Sequence, residues 1–268
     1  MNLSPLGMGT WHMGECASDR AAEVAALRLG LDLGIRVIDT AEMYAEGGAE
    51  EVVGEAIAGR REDVLVVSKF YPHHAAPREL EAACARSLAR LGIDRLDVYL
   101  CHWRGAVPLA RTVPALNALV DSGRIASWGV SNFDVEDLEE LFAIPGGERC
   151  AVNQVLYNLS RRGIEYDLLP WCAARGVQVM AYSPLDEGPL VKHPVLVSLA
   201  RERGLTAAQL AIAWTIRHPG VCSIPKAARE QHVRDNAAGA QVRLDSEALA
   251  ALDRAFPPPT RKRRLEVI

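Results

Sequence analysis

Paired cysteines, a dinucleotide-type glycine loop, an excess of one charge and long apolar runs are all missing from this chain. Each absence removes a class of protein. The six cysteines (Cys16, Cys84, Cys101, Cys150, Cys172, Cys222) form no C-x-x-C pair, so neither a zinc site nor a disulfide framework is indicated. Several stand inside apolar runs, where free thiols are commonly buried, and a reducing, cytoplasmic compartment is expected. The formal net charge is −4, from 30 Lys+Arg against 34 Asp+Glu, so neither nucleic acid nor a membrane is expected as partner. No apolar run is long enough to span a bilayer, and Met1-Asn2-Leu3-Ser4-Pro5 carries no basic-then-apolar leader. No G-x-G-x-x-G follows the first strand candidate, which argues against an open, doubly wound sheet. The one basic run, Arg261-Lys262-Arg263-Arg264, follows three prolines and reads as a solvated tail.

What is present is a repeating unit. With 268 residues, 49% apolar and 24% charged, the chain can bury a sizeable core. Short β-branched runs alternate with longer segments whose apolar residues recur every three or four positions, as parallel βαβ units require. The strand candidates are Leu6–Trp11, Ile35–Asp39, Val64–Lys69, Leu96–His102, Ile125–Ser131, Ala151–Gln154, Val177–Tyr182 and Val221–Pro225. The helix candidates between them are Ala21–Leu33, Glu50–Ala58, Pro77–Leu91, Arg111–Ser122, Val135–Phe142, Ile164–Arg175 and Thr206–His218, with Arg229–Ala238 and Ser246–Ala255 closing the chain. Gly34, Gly59, Gly92, Gly123 and Gly176 each stand just past a helix candidate, where glycine relieves a left-handed turn. No Ser/Gly-rich linker interrupts the pattern. The expectation is an α/β fold: one domain over residues 1–268, a (β/α)8 barrel with additional C-terminal helices.

In such a barrel the chemistry sits at the C-terminal ends of the strands. The residues at or just past those ends are Trp11, Asp39, Lys69, His102, Asn132, Gln154, Ser183 and Lys226, too chemically varied for ordinary turn formers. Tyr44 follows Asp39 closely. A free phenol has a pKa of about 10 and yields its proton reluctantly. An adjacent ammonium stabilises the phenolate, and a carboxylate keeps that ammonium charged and aimed. Asp39, Tyr44, Lys69 and His102 together therefore read as a proton-donating site. Lys69 as a Schiff-base lysine and His73-His74 as metal ligands are the competing readings; the first is opposed by Asp39, the second by missing partner ligands. Trp11 and Trp103 suit an apolar pocket wall. Asn132 and Gln154 suit holding an amide flat, and Tyr182 can stack on a planar ring or simply be a half-buried strand tyrosine.

The sequence resembles the aldo-keto reductases, and the short bacterial members that reduce methylglyoxal in particular. The motifs that carry this are Gly9-Thr10-Trp11, Asp39-Thr40-Ala41-Glu42-Met43-Tyr44, Ser68-Lys69, His102-Trp103, Gly129-Val130-Ser131-Asn132-Phe133, Asn153-Gln154, Ala181-Tyr182-Ser183-Pro184-Leu185 and Ile224-Pro225-Lys226-Ala227. The resemblance implies Asp39, Tyr44, Lys69 and His102 as a catalytic tetrad, with Trp11 and Trp103 lining the substrate pocket. It implies a cofactor site from Gly9, Thr10, Ser131, Asn132, Gln154, Tyr182, Ser183, Pro184, Leu185, Ile224, Lys226, Arg229, His232 and Asn236. The expected cofactor is NADPH, with NADH as the alternative. The expected reaction is reduction of small aldehydes and ketones, Tyr44 protonating the developing alkoxide, in a protein that is a monomer or weak oligomer.

The chain departs from the pattern of that family in three ways. Their N-terminal hairpin, which plugs the barrel floor, is absent or replaced. The segment Asp186–Leu190, the loop after Trp103 and the C-terminal tail are short, so an open pocket is expected. His232 stands where many members carry arginine, and Ala227 where they carry serine. A nucleotide-binding regulatory module of the same fold is the alternative function, and the intact tetrad speaks for turnover.

Overall fold

The computed structural model describes residues 3–268. Eight strands form a single sheet in sequence order, every neighbouring pair parallel. They are β1 (Gly7–Gly9), β2 (Val37–Asp39), β3 (Leu65–Phe70), β4 (Leu96–Cys101), β5 (Ile125–Ser131), β6 (Cys150–Leu156), β7 (Gln178–Tyr182) and β8 (Val221–Ser223). Parallel bridges Leu6–Ser223 and Gly9–Lys226 join the first strand to the last, so the sheet closes into a barrel. The expected fold class is therefore the observed one. Strands β1, β2 and β8 are shorter than the sequence pattern suggests. Pro225 has no N–H to donate, and beyond Gly9 the chain turns at His12 (φ 64°), which leaves Trp11 in a loop.

The helices are α1 (Arg20–Asp32), α2 (Gly48–Ile57), α3 (Pro77–Leu91), α4 (Leu109–Asp121), α5 (Val135–Phe142), α6 (Leu168–Arg175), α7 (Pro194–Glu202), α8 (Ala207–Thr215), α9 (Glu230–Gly239) and α10 (Ser246–Ala255). Helix α3 shows why the local sequence folds this way. Proline begins it, Leu80, Ala83, Cys84, Ser87 and Leu91 share the buried face, and Gly92 (φ 64°) ends it in the left-handed conformation. Helix α7 has no counterpart among the sequence candidates, and the β7–β8 connection holds two helices rather than one. Its nine residues include the β-branched Val195 and Val197, both largely exposed, which blur the helical period; buried Leu196 and Ala200 anchor it. The expected helix over 164–175 is also divided: a short 3-10 turn (Gly163–Glu165) precedes α6.

Two cores result. One lies between the sheet and the helices, and the other fills the barrel with Leu3, Val37, Val67, Val98, Leu100, Val152, Met180, Cys222 and Ile224. Burying one such side chain stabilises the fold by about 1.5–3 kcal/mol. Among the described residues, Leu3 stands at the barrel floor: it is 6% exposed, and its N–H donates to Gln178 Oε1 at 2.9 Å. One apolar residue and one strand amide thus occupy that place.

Candidate active site

Parallel pairing sets the site. The register aligns Gly9 with Asp39 and Asp39 with Val67, so the last residues of β1 and β2 stand at one rim with Lys69 beside them. Lys69 is fully buried, and its Nζ donates to Asp39 Oδ2 at 2.8 Å, to the Thr40 carbonyl at 2.9 Å and to Tyr44 Oη at 3.0 Å. An ammonium has three protons, and all three are placed. Tyr44 therefore accepts from Lys69, and no acceptor among the described residues takes the phenol's own proton. His102 follows β4 with its ring centroid 5.8 Å from that of Tyr44, and Trp11 meets the Tyr44 ring edge-on at 4.9 Å. The four tetrad candidates are brought together.

Burial and charge work against each other here. Burial pulls the Lys69 ammonium downward, but Asp39 and Tyr44 outweigh it, and its pKa lies above the ordinary value. Burial pushes the Asp39 carboxyl up, with Lys69 and Gln154 pulling against it. Tyr44 is raised by burial, which Lys69 only partly offsets. Lys69 pulls the phenol down as expected, and desolvation exceeds that pull. His102 is lowered to about 2, first by burial and then by Lys69, so its imidazole is neutral. The Schiff-base reading of Lys69 fails on the same geometry, since a fully bonded, raised ammonium is a poor nucleophile.

The remaining predicted residues divide into two groups. Near the tetrad, Thr10 Oγ1 donates to the Asp39 carbonyl, and Gln154 Nε2 donates to Asp39 Oδ1 at 2.7 Å. Gln154 therefore braces the carboxylate, leaving its Oε1 as the atom that faces any amide. Asn132 Nδ2 donates to the His102 carbonyl and to Ser131 Oγ, both at 3.3 Å, and the Tyr182 hydroxyl donates to Asn132 Oδ1 at 3.0 Å. Further out, Lys226, Arg229 and His232 are exposed beside and on α9, and Asn236 is buried on it. Lys226 and Arg229 form no ion pair among the described residues. Trp11 and Trp103 are 42% and 38% exposed, as a pocket mouth requires.

Every non-glycine residue with positive φ among the described residues lies on this face. They are His12, Ala45, Glu46, Asn132, Ser183, Asp186 and Glu187, in the loops after β1, β2, β5 and β7. Such strain persists where surrounding structure enforces it, and it clusters at functional sites. Three neighbours of the site had no prior role. Glu42 lies inside the Asp39–Tyr44 run, and Tyr71 lies two positions past Lys69, so strand-end reasoning extended slightly would have found both. The third is Ile268, whose backbone N–H reaches the Tyr182 hydroxyl. Nothing in a basic tail signals that contact. The tail is also pinned, with Lys262 at 3.0 Å from Glu136 and Glu266 at 2.8 Å from Arg161. As for the histidine pair, His74 engages Glu42, and no cluster of His, Cys, Asp or Glu able to hold a metal occurs among the described residues.

A closed parallel barrel with a buried Asp–Lys–Tyr chain and a neutral histidine at its strand ends defines an oxidoreductase of the aldo/keto reductase type. Residues 5–256 match the sequence model of the Aldo/keto reductase family, and the chain belongs to it. It is 51% identical over 273 residues to the methylglyoxal reductase YeaE of Escherichia coli strain K12, covering 100% of this chain and 96% of that protein. It is 34% identical to the glyoxal reductase of Bacillus subtilis strain 168, over 85% of this chain and 81% of that one. An aldo/keto reductase from Klebsiella pneumoniae, crystallised in complex with NADP and acetate, shares the fold with a TM-score of 0.97 and 55% identity, covering 99% of this chain and 96% of that one.

Proposed function

We propose that this chain reduces small aldehydes and ketones of the methylglyoxal type to alcohols with NADPH, Tyr44 delivering the proton. The observation that carries this is the direction of one hydrogen bond: Lys69 donates to Tyr44, so the phenol's proton is left for a ligand. The reduced nicotinamide supplies the hydride. Tyr44 protonates the developing oxyanion, and general acid catalysis of this kind contributes on the order of 10² to 10⁴ in rate. Lys69 stabilises the phenolate left behind, Asp39 holds Lys69, and Gln154 and Thr10 hold Asp39. The neutral His102 can donate one N–H toward the carbonyl oxygen without competing as an acid.

The chain's residues fit such a cofactor. Ser131, Asn132 and Gln154 offer amide and hydroxyl partners for a carboxamide, and Tyr182 offers a partly open ring. Ser183, Pro184 and Leu185 follow on a strained turn that suits a pyrophosphate, with Gly9, Thr10 and Ile224 forming the adjoining strand ends. Lys226 and Arg229, without ion pairs among the described residues, are cations suited to a 2′-phosphate, with His232 and Asn236 beside them. This favours NADPH over NADH. No helix among the described residues is long and apolar enough to cross a membrane. With five of six free cysteines buried, a reducing cytoplasm is the compartment we assign, with a monomer or weak oligomer and no nucleic-acid partner.

The test is a panel of aldehydes and ketones followed by NADPH absorbance, run in parallel with NADH. Methylglyoxal should rank among the best substrates and bulky steroid ketones among the worst. A steroid ketone with a much higher kcat/KM than methylglyoxal would overturn the small-substrate reading.

A further inference from the structure

One buried carboxylate beside the site has no part in this chemistry. Glu42 stands two residues before Tyr44 and is 6% exposed. Its backbone N–H donates to the Lys69 carbonyl at 3.1 Å. Its Oε1 accepts the Tyr71 backbone N–H at 2.8 Å and lies 2.8 Å from His74 Nδ1. Its Oε2 faces Arg86 Nη2 at 3.5 Å. With a carboxylate opposite it, His74 Nδ1 carries the hydrogen and donates.

A charge withdrawn from water persists only where its partners compensate. Apart from its own backbone bond to Lys69, the partners of Glu42 belong to the loop after β3 and to α3. That loop builds one side of the pocket mouth. The Tyr71 ring stacks on His73 with centroids 4.9 Å apart and meets Trp103 edge-on at 6.1 Å. Glu42 thus fastens the segment that bears Tyr44 to the loop that bears the opposite rim. Glu50 offers a contrast. It is also buried and lies further along the chain, in the first turn of α2, but it accepts from Ser68 Oγ and from Arg90, away from the mouth.

We infer that Glu42 is a positioning residue that sets substrate specificity, fixing the Tyr71–His73–Trp103 rim relative to the Tyr44 hydroxyl so that a small carbonyl compound is held within its reach. The kinetic consequence rests on the reductase reading above, whereas the fastening of the loop does not.

The experiment compares wild type with Glu42→Ala, Glu42→Gln and Glu50→Gln. It measures amide hydrogen exchange over residues 70–76 in the ligand-free protein, and kcat and KM with NADPH and methylglyoxal. In Glu42→Ala the Tyr71 amide should exchange about tenfold faster or more, because its buried acceptor is gone. The methylglyoxal KM should rise by about tenfold, with kcat and NADPH affinity within about twofold of wild type, as misplacement of a binding wall predicts. Glu42→Gln, whose amide oxygen accepts the same N–H groups, should restore both readouts, and Glu50→Gln should alter neither. Unchanged exchange in Glu42→Ala overturns the fastening. Faster exchange with unchanged KM overturns the specificity role. A parallel loss of kcat, KM and NADPH affinity, or the same KM shift in Glu50→Gln, reduces Glu42 to a general brace. If wild type turns over no carbonyl compound, the reductase reading fails, and exchange alone decides whether Glu42 fastens the loop.

Discussion

Two tyrosines in this molecule follow barrel strands and sit inside buried ionic clusters, yet their protons point in opposite senses. Tyr44 accepts a hydrogen bond from Lys69 and gives none to the described protein. Tyr157, just past β6, accepts from Arg217 at 2.8 Å but donates to Glu165 at 2.7 Å. Burial pushes both phenols upward, Tyr157 far beyond the ordinary range. In the second cluster Arg162 and Arg217 each reach Glu165 at 2.7 Å, and the Arg217 guanidinium lies 3.6 Å over the Trp214 ring. Similar residue types thus make a brace in one place and, in the proposed reaction, a proton source in the other. The difference is whether an internal carboxylate has already claimed the phenol's hydrogen.

The sharpest way to break this contrast is to remove each hydroxyl in turn. Tyr44→Phe should lower turnover by on the order of 10² to 10⁴ while NADPH affinity is retained. Tyr157→Phe should leave kcat within about twofold and lower stability by about 1–3 kcal/mol, since Glu165 and Arg217 lose a buried partner. Steady-state kinetics and urea unfolding of both variants read this out, and comparable activity losses would erase the distinction.

Glu165→Gln carries the comparison to the charges. Removing one member of a buried ion pair strands the others, so a loss of about 3 kcal/mol in urea unfolding is expected, with kcat preserved. A variant as stable as wild type would show the cluster to be solvated in practice.

Acid sensitivity should trace to His102. Its folded pKa is about 2, so it stays neutral where an unfolded histidine, with a pKa of about 6.5, takes up a proton. The unfolded state then binds more protons, and stability falls as pH drops below about 6.5, by about 2.7 kcal/mol at pH 4.5. Thermal melts of wild type and His102→Gln over this range should converge at low pH; parallel curves would place the acid sensitivity elsewhere.

The smallest effect concerns strain behind Tyr44. Ala45 holds φ 50° and ψ 38°, a left-handed conformation that costs a non-glycine residue about 1–2 kcal/mol. Ala45→Gly relieves it but loosens the unfolded chain, so a net gain of about 0.5–1 kcal/mol in urea unfolding is expected. A destabilised variant would mean that the Ala45 methyl packs more than it strains.

Much of this was legible beforehand because a parallel barrel converts strand ends into a site. Asp39, Lys69 and His102 lie at or beside the ends of strands whose apolar runs are plain in the sequence, and glycines such as Gly92 and Gly176 stop helices as expected. Helix α7 was not legible, because its valines obscure the period and its anchoring depends on tertiary burial of Leu196. The proton's direction at Tyr44 was not legible either. It depends on Nζ reaching the Thr40 carbonyl as well as Asp39, a backbone contact that no side-chain pattern reports. Nor did charge alone reveal that the chain's last residue touches Tyr182, since Arg261–Arg264 looks like any solvated run.

In the proposed reaction Tyr44, and not His102, delivers the proton. This is tested most directly by the pH dependence of a single turnover of NADPH with methylglyoxal. The expected rate is flat from about pH 6 to 9 and falls only beyond the ordinary phenol range, because burial raises the Tyr44 pKa. A rate that instead declined through about pH 6.5, and did so equally in Tyr44→Phe, would assign the proton to histidine and contradict it.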